Sequence, residues 1–392
     1  MKIGYFSTFF PYIDLLDNLD YYVRYVHGGT EVVAYNLAVS MAQRGHKVLV
    51  FTTSINSHNS VEVRNGVNIH RYRAIFKYKS GRISLNMVMD PLRYNLDVVH
   101  AHISEPGIEF AVLNYIKKKK IPFILTLHGD PQKSYGLPAS ELYLFFYKHL
   151  LDKMLRCANL IVSPSRYYMN ESKFLRKYKN KIRIVPHGID VKKFSIRESP
   201  DECREKLSIP KDKYILLYMG HLAPYKGPHI LIKALDEVVK HTRDVIVIFA
   251  GGGKMKNELK KLAQKVGVAN NVRFEGFVKE SLKPFYYKSA DIFILPSINL
   301  LEMFGIVNLE AMVCGLPVIS SKLGGIPEIV KNGKNGLLVP PSNVDALSNA
   351  TVYLLENENL RRRMGKLGAK IASEYSWNRI AERMEKIYKE VL

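Results

Sequence analysis

The chain has 392 residues, of which 47% are hydrophobic and 24% are charged, and its formal net charge is +22. This hydrophobic fraction can bury large cores, so the composition excludes a wholly disordered protein. At about 150 residues per domain, the length predicts two or three domains. Cys157, Cys203 and Cys314 lie far apart and form no Cys-x-x-Cys pair, which excludes a disulfide framework or a zinc cluster and favours a reducing cytoplasm.

The sequence offers no candidate for a membrane span. No apolar run approaches the roughly 18 residues needed to cross a bilayer, and Met1–Ser7 is typical of a first strand rather than of a signal peptide. We therefore expect a cytoplasmic protein, either soluble or bound peripherally to the cytoplasmic membrane face. The excess of basic residues would suit nucleic acid, an anionic membrane or a phosphorylated small molecule.

Short β-branched segments alternate with longer amphipathic ones in the first half of the chain. The expected strands are Lys47–Thr52, Leu96–His102, Pro122–Leu127, Leu160–Ser163 and Ile182–Val185. The expected helices are Glu31–Arg44, Pro106–Lys119 and Glu141–Arg156. Nearly continuous apolar strands are typical of parallel sheets that are covered by helices on both faces. The alternation therefore predicts an α/β fold with a doubly wound sheet.

The alternation stops after Asp190 and resumes beyond a charged segment that ends near Asp201. The expected strands of the second half are Tyr214–Gly220, Val245–Ala250, Val272–Glu275, Ile292–Leu295, Pro317–Ser320 and Gly336–Val339. We therefore predict two Rossmann-like domains, residues 1–190 and 191–375, with a C-terminal helix at about 376–392 that packs back on the first. Because ligands of such sheets bind at the carboxyl ends of the strands, the expected site is a cleft between the domains.

The segment Ser297–Pro317 is the most informative for function. Glu302 is expected in a loop before a helix at Ile306–Val313, and Glu310 on the second turn of that helix. The helix N-terminus offers free backbone N–H groups and a positive dipole end, which together bind anions. Carboxylates beside such a site could hold sugar or ribose hydroxyls. They could equally be two solvated surface glutamates.

Two glycine turns are further candidates for phosphate binding. One turn precedes Lys226, and the other, Gly28-Gly29, precedes the helix that contains Glu31. Glycine lets backbone approach phosphate, and lysine supplies a mobile charge. Neither turn is a Walker loop, and Gly251–Gly253 lacks the dinucleotide-binding pattern, so no dinucleotide cofactor is expected. The chain has no Asp-x-Asp motif, so we expect no carboxylate-held metal ion.

Histidines follow or occupy two of the expected strands. His128 ends the strand Ile124–Leu127, where it would face the cleft, although a lone histidine is more often structural. His100 and His102 would share one face of a strand. Because no third ligand stands at a useful spacing, we favour core or cleft lining over metal binding for this pair.

Taken together, these segments resemble the large family of retaining glycosyltransferases of GT-B fold (glycosyltransferase family 4), which includes bacterial mannosyltransferases and sucrose synthases. The resemblance covers nearly the whole chain, from Gly28-Gly29 through Val185–Asp190 to Tyr375–Trp377. Its central motif is Glu302-x7-Glu310, followed by Gly324–Val330. The implied catalytic residues are His128, Glu302 and Lys226. The implied donor-binding residues are Gly28, Gly29, His221, Lys226, Phe277, Val278, Phe304, Gly305, Ile306 and Glu310.

The resemblance implies a role for each side chain in binding a nucleotide-diphosphate sugar. Glu310 would hold the ribose hydroxyls, and Glu302 would contact the transferred sugar across from the reacting carbon. Lys226 would neutralise the diphosphate, and His128 would contact the sugar near its reacting face. His221 stands where the family usually carries a second diphosphate cation. If His221 is neutral, stabilisation of the leaving group depends more on Lys226.

Backbone groups complete the site that the resemblance implies. Phe304–Ile306 would present N–H groups to sugar and phosphate, Gly276–Val278 would border the nucleotide base, and Gly28-Gly29 would close over the diphosphate. The departing phosphate oxygen would accept the proton of the acceptor on the face where the new bond forms, so no protein base and no metal or other cofactor is expected.

The predicted activity is transfer of a sugar, from a UDP-sugar in preference to a GDP-sugar, to an acceptor hydroxyl in glycan, lipid-linked glycan or glycoconjugate assembly. A soluble sugar or sugar-phosphate acceptor and a nucleotide-sugar epimerase are the alternatives. Nucleic acid is not an expected partner, because the chain has no RNP-like, helix-turn-helix or zinc pattern.

The first domain would bind the acceptor, with the aromatic segment Pro11–Val26 at its entrance. The lysine run Lys117–Lys120, the basic segment Arg166–Arg183 and the apolar segment Leu142–Leu155 would suit docking on an anionic membrane. A basic soluble face and a buried helix explain the same residues.

Overall fold

The computed structural model describes residues 1–21, 29–78, 81–103, 106–130 and 138–392. The chain divides into two compact units. Unit 1 comprises Met1–Leu15, Asp20–Gly188 and Trp377–Leu392, and unit 2 comprises Leu16–Leu19 and Ile189–Ser376. Each unit is built around one main sheet, which is parallel throughout in unit 2 and parallel except for the pair β3 and β4 at one edge in unit 1.

The described residues of unit 1 form an eight-stranded sheet and a two-stranded hairpin. The strands are β1 (Lys2–Ser7), β2 (Lys47–Ser54), β3 (Ser60–Arg64), β4 (Val67–Arg73), β5 (Phe76–Tyr78), β6 (Gly81–Ile83), β7 (Val98–Ile103), β8 (Phe123–Leu127), β9 (Leu160–Ser163) and β10 (Ile182–Ile184). The first five helices are α1 (Gly29–Gln43), α2 (Leu85–Met89), α3 (Glu109–Lys119), α4 (Pro138–Cys157) and α5 (Arg166–Glu171). Turns of 3-10 helix lie at Ile13–Leu15, Asp90–Arg93 and Leu175–Lys181.

The main sheet of unit 1 has the strand order β10-β9-β8-β7-β1-β2-β4-β3. All neighbouring strands are parallel except β3 and β4. Every residue of β7 and β8 is buried, as expected for central strands that helices cover on both faces. The strand order reverses between β1 and β7. In open α/β sheets this switch point is where ligands bind, at the carboxyl ends of the strands.

The described residues of unit 2 form a six-stranded parallel sheet in the order β13-β12-β11-β14-β15-β16. The strands are β11 (Tyr214–Met219), β12 (Val245–Ala250), β13 (Val272–Gly276), β14 (Ile292–Leu295), β15 (Val318–Ser321) and β16 (Gly336–Val339). The helices are α6 (Val191–Phe194), α7 (Pro200–Lys206), α8 (Pro228–His241), α9 (Lys256–Val266), α10 (Lys283–Ser289), α11 (Ile306–Val313), α12 (Ile326–Ile329), α13 (Val344–Glu356) and α14 (Glu358–Ser373), with 3-10 turns at Pro224–Lys226 and Ala269–Asn271. This is the doubly wound arrangement, and its switch point lies between β11 and β14, where Leu216 pairs with Ile292.

The last helix, α15 (Trp377–Val391), belongs to unit 1. Its buried side chains recur at helical spacing and join the core that contains β1 and β2: Ile380, Ala381, Met384, Ile387 and Tyr388. The Trp377 ring covers Gly188 so closely that a Cβ at position 188 would lie 2.5 Å from the indole. No helix within the described ranges is long and apolar enough to cross a bilayer.

Candidate functional site

Lys226 and Glu302 form an ion pair in the loops that follow β11 and β14. Lys226 Nζ lies 2.6 Å from Glu302 Oε2, and the two side chains are only 13% and 10% exposed. The Ser297 hydroxyl donates to the same carboxylate oxygen at 3.4 Å. Burial by itself would lower the pKa of Lys226, but the Glu302 carboxylate outweighs this effect and raises it, so the ammonium group stays protonated. The burial of Glu302 excludes the alternative of a solvated surface glutamate.

A glycine makes this contact between the two loops possible. Gly227 has φ +67°, in the left-handed region, and a Cβ there would lie 2.0 Å from the carbonyl oxygen of Pro296. A hydrogen bond joins the same two loops, because the Ile298 N–H donates to the Tyr225 carbonyl oxygen at 2.7 Å. The loop after β11 is therefore held directly against the loop after β14, at the switch point of the sheet.

Glu310 lies on α11, which begins at Ile306 as the sequence predicts. Gly305, which precedes the helix, has φ +72°, and none of the described side chains caps this N-terminal end. The N–H groups of the first turn and the positive dipole end can therefore meet an anion. Glu310 accepts a hydrogen bond from the buried Tyr287 hydroxyl at 2.6 Å, which fixes the orientation of its carboxylate.

The remaining donor-site candidates of unit 2 have contrasting environments. Burial, together with the ammonium groups of Lys226 and Lys254, lowers the pKa of His221, so this imidazole is neutral at pH 7. Phe304 is buried at 2% exposure. The Val278 side chain belongs to the core of unit 2, which leaves only its backbone to contact a ligand. Phe277 is partly buried beside it.

In unit 1, Gly29 begins α1, whereas Gly28 lies outside the described residues. His128 directly follows β8 and is 5% exposed. Its Nε2 lies 3.0 Å from His102 Nδ1, and burial first, then the neighbouring histidines His102 and His187, lower its pKa well below the usual value. The imidazole is therefore neutral at pH 7.

Several residues that position the candidates escaped the sequence argument. Asp130 anchors the loop after His128, because one oxygen accepts from the Tyr168 hydroxyl at 3.0 Å and the other from the Lys173 N–H at 2.9 Å. Tyr287 likewise orients Glu310 through a hydrogen bond, and Ser297 orients Glu302. Their only signal in the sequence is that Asp130 and Ser297 follow strands at the carboxyl edges of the sheets.

As to metals, the described residues contain no group of three or more histidine, cysteine or carboxylate side chains that could hold an ion. His100 and His102 do share one face of β7, with ring centroids 4.2 Å apart.

Comparisons with known proteins agree over most of the chain. Residues 199–371 match the family model described as Glycosyl transferases group 1, and residues 27–193 match Glycosyltransferase Family 4. D-rhamnosyltransferase WbpZ from Pseudomonas aeruginosa is 30% identical over 356 residues, which cover 89% of each chain. D-inositol 3-phosphate glycosyltransferase from Corynebacterium glutamicum is 27% identical, covering 93% of this chain and 92% of its own.

Solved structures share the fold. The UDP complex of Alr3699/HepE from Anabaena has a TM-score of 0.74 at 19% identity and covers all of both chains. The chain is therefore an enzyme of the glycosyltransferase class, with the α/β architecture of the GT-B fold. More specifically, it belongs to the family 4, group 1 type of glycosyltransferase. The predicted fold class and enzyme class are confirmed.

Proposed function

We propose that this chain transfers a sugar from a nucleoside-diphosphate sugar, held by unit 2, to an acceptor hydroxyl held by unit 1, with retention of configuration. The observation that carries the proposal is the Lys226–Glu302 pair. It joins a buried cation and a buried carboxylate at the switch point of the sheet, where ligands of doubly wound sheets bind. The uncapped N-terminus of α11 follows Glu302 after only a few residues.

The leaving diphosphate needs charge stabilisation more than it needs a base. Lys226 is charged and sits on a fixed turn, so it meets this need without rearrangement of the loop. His221 is neutral and supplies no full charge, which leaves Lys226 and the N–H groups of Phe304–Ile306 to bind the phosphates. Loss of one such donor costs about 3–4 kcal/mol of transition-state stabilisation.

The carboxylates would recognise hydroxyl groups of the donor. Glu310, oriented by Tyr287, accepts hydrogen bonds from the ribose, and Glu302 accepts from the transferred sugar. The base lies against Phe277 and the backbone of Val278. Solved relatives of the fold are described as complexes with UDP and with UDP-glucose, which supports UDP as the nucleotide. In unit 1, His128 at the carboxyl end of β8 is the candidate for a contact with a sugar.

For the acceptor, an open pocket on the surface of unit 1 favours a small phosphorylated molecule. The pocket has a volume of about 500 Å³ and lies at the carboxyl ends of β2 and β4. Arg73 and Lys77 line it, together with Asn56 and Ser57. Two cations with neighbouring hydroxyl and amide groups suit a phosphate monoester. The curated relative from Corynebacterium glutamicum is named for a phosphorylated acceptor, D-inositol 3-phosphate.

The other acceptor class, a lipid-linked glycan, predicts docking on anionic membranes through Lys117–Lys119, which end α3. Flotation with acidic liposomes at low salt distinguishes these two acceptors. A protein that stays at the bottom of the gradient favours the small acceptor.

A panel of UDP- and GDP-sugars tests the proposed function, with release of nucleoside diphosphate measured with and without sugar phosphates. We expect acceptor-dependent release that Glu310→Gln lowers mainly through a higher donor KM. Lys240→Gln removes an exposed lysine of the same unit and should leave release unchanged. Conversion of a donor to its epimer without any acceptor would support the epimerase alternative and overturn the proposal.

A further inference from the structure

His100, His102, His128 and His187 are buried together in unit 1, with exposures of 0%, 1%, 5% and 6%. They come from β7, from the residue after β8 and from the loop after β10. Adjacent rings lie 4.2 Å, 5.2 Å and 5.6 Å apart in this order, so the four imidazoles form a continuous row. Below, these residues are called the histidine row.

His100 has a structural role at the inner end of the row. Its Nδ1 lies 2.7 Å from the Tyr388 hydroxyl and its Nε2 lies 2.7 Å from Thr126 Oγ1, so both ring nitrogens have partners. Tyr388 in turn shares a hydrogen bond of 2.7 Å with Tyr5. His100 thus links α15 to the centre of the sheet and presents no free atom.

His102 and His128 differ, because they share a single hydrogen bond. His102 Nδ1 lies 3.0 Å from His128 Nε2. The outer nitrogens, His102 Nε2 and His128 Nδ1, are buried and have no hydrogen-bond partner among the described residues. Since each ring is neutral, each carries one proton and can donate from only one nitrogen.

Two proton arrangements are consistent with this pair. In the first, His102 donates from Nδ1, keeps a bare Nε2, and leaves His128 protonated at Nδ1. In the second, His128 donates from Nε2, and His102 carries a buried N–H at Nε2 without an acceptor. Among the described residues, each arrangement leaves one bare nitrogen and one N–H group without a partner. His128 follows β8 at the carboxyl edge of the sheet, where a ligand can meet its Nδ1 in either arrangement, whereas His102 Nε2 lies within β7. At His102 a bare nitrogen costs less than an N–H group, because buried donors without an acceptor are rarer in folded proteins than acceptors that lack a donor. The first arrangement is therefore favoured.

Ring contacts on both sides fix the position of the His102 imidazole. It stacks between Tyr5, at 5.3 Å and 19°, and His128, at 5.2 Å and 23°. His128 is fixed independently, because its backbone N–H donates to the Ile103 carbonyl at 2.7 Å. The position of His128 is thus set by the backbone, and the location of its proton is set by His102.

We propose that His102 is a positioning residue that holds His128 as the Nδ1–H tautomer, so that Nδ1 donates a hydrogen bond to an oxygen of the sugar substrate. The inference rests on the proposed function, because it assigns the unpartnered Nδ1 atom to a substrate. It also fixes the direction of this hydrogen bond. His128 donates to the sugar, so it does not serve as the base that removes the proton from the hydroxyl group of the acceptor.

Long-range 15N–1H correlation spectra of the full chain, labelled with 15N-histidine, test the tautomer directly. The resonance of His128 is assigned by its disappearance in His128→Asn. We expect His128 to be protonated at Nδ1 in the unsubstituted protein. Protonation at Nε2 would overturn the proposal, and this measurement needs no variant at position 102 to fold.

Two substitutions of His102 separate positioning from packing. His102→Asn keeps an amide N–H near the place of Nδ1, whereas His102→Leu keeps the volume without a donor. We expect His102→Leu to lower kcat about 10- to 100-fold with little change in donor KM, and His102→Asn to restore most of kcat. Equal losses in both variants would overturn the proposal.

His70→Leu is the matched control, because it also replaces a buried histidine of unit 1, on β4, that has no hydrogen bond to His128. It should lower the melting temperature without moving kcat or the His128 tautomer. The two readouts also separate this inference from the proposed function. Absence of any sugar transfer with the Nδ1–H tautomer intact refutes the function, whereas normal transfer with the Nε2–H tautomer refutes the positioning role.

Discussion

Mild acid is expected to destabilise unit 1 through the histidine row. Burial lowers the pKa of His100 to about 3 and that of His187 to about 4, and it holds those of His102 and His128 well below the usual value. In the unfolded chain each pKa is about 6.5. Because the unfolded state then binds more protons below pH 6.5, the stability is fully present above that pH and is lost as the pH falls.

The size of this loss follows from the difference between the pKa of each histidine in the folded state and its pKa in the unfolded state. Between pH 7.5 and 5.5 a histidine that stays neutral in the folded state lowers the free energy of unfolding by slightly more than about 1 kcal/mol, so the row contributes roughly 5 kcal/mol. Glu109 opposes this, because burial raises its pKa to about 7, and its protonation returns about 2 kcal/mol over the same interval. Paired carboxylates of unit 1 such as Glu385, whose pKa Lys389 and Arg44 lower to about 2, keep their contribution in this interval. The net loss is therefore about 3 kcal/mol, a large part of a typical stability of about 5–15 kcal/mol.

Urea unfolding at several pH values, followed by tryptophan fluorescence, measures this loss. Trp377 is the one tryptophan of the chain and belongs to unit 1, so the signal reports on the correct unit. Replacing His187 by Asn should remove about a quarter of the histidine contribution. A free energy of unfolding that stays constant or rises between pH 7.5 and 5.5 would refute the argument that these histidines are buried and neutral.

Four further substitutions test the packing and charge of both units. Lys226→Met leaves the Glu302 carboxylate buried without its partner and should lower the stability by about 3–5 kcal/mol, so activity loss in this variant must be read beside its melting curve. Adding Glu302→Gln should restore part of that stability, and a double variant no more stable than the single one would contradict the ion-pair account. Gly227→Ala places a Cβ against the carbonyl of Pro296 and should lower both the melting temperature and donor affinity, which thermal shift with and without UDP measures. Tyr388→Phe removes two hydrogen bonds and should lower the urea-derived stability of unit 1 by about 1–3 kcal/mol, whereas an unchanged value would mean that they contribute nothing net.

The sequence predicted the strands whose apolar residues run continuously, and it missed those that are short or polar. β3 to β6, between Ser60 and Ile83, were not predicted, because β3 is an edge strand with Val61 and Val63 exposed and β5 and β6 have three residues each. The helix expected from Pro106 begins at Glu109. Gly107 has φ +148°, and its N–H donates to the Glu109 carboxylate, which fixes a non-helical turn there.

The candidate site was predictable as a set of residues, and its contacts were not. Lys226 and Glu302 are 76 positions apart, and only the strand order, with β11 beside β14, brings their loops together. Tyr5 and Tyr388 are 383 positions apart, so no local pattern could have indicated their contact. The partners of Glu310 and His128 likewise come from elements distant in the sequence. Residue type and position after a strand identify candidates, whereas pairing needs the topology.

The most direct test of the central claim is a crystal structure of the chain with UDP bound. We expect the diphosphate at hydrogen-bonding distance, about 3 Å, from Lys226 Nζ and from N–H groups at the start of α11. We also expect the ribose hydroxyls on the Glu310 carboxylate. Nucleotide density elsewhere in the chain, with the Lys226–Glu302 pair and Glu310 untouched, would contradict the account.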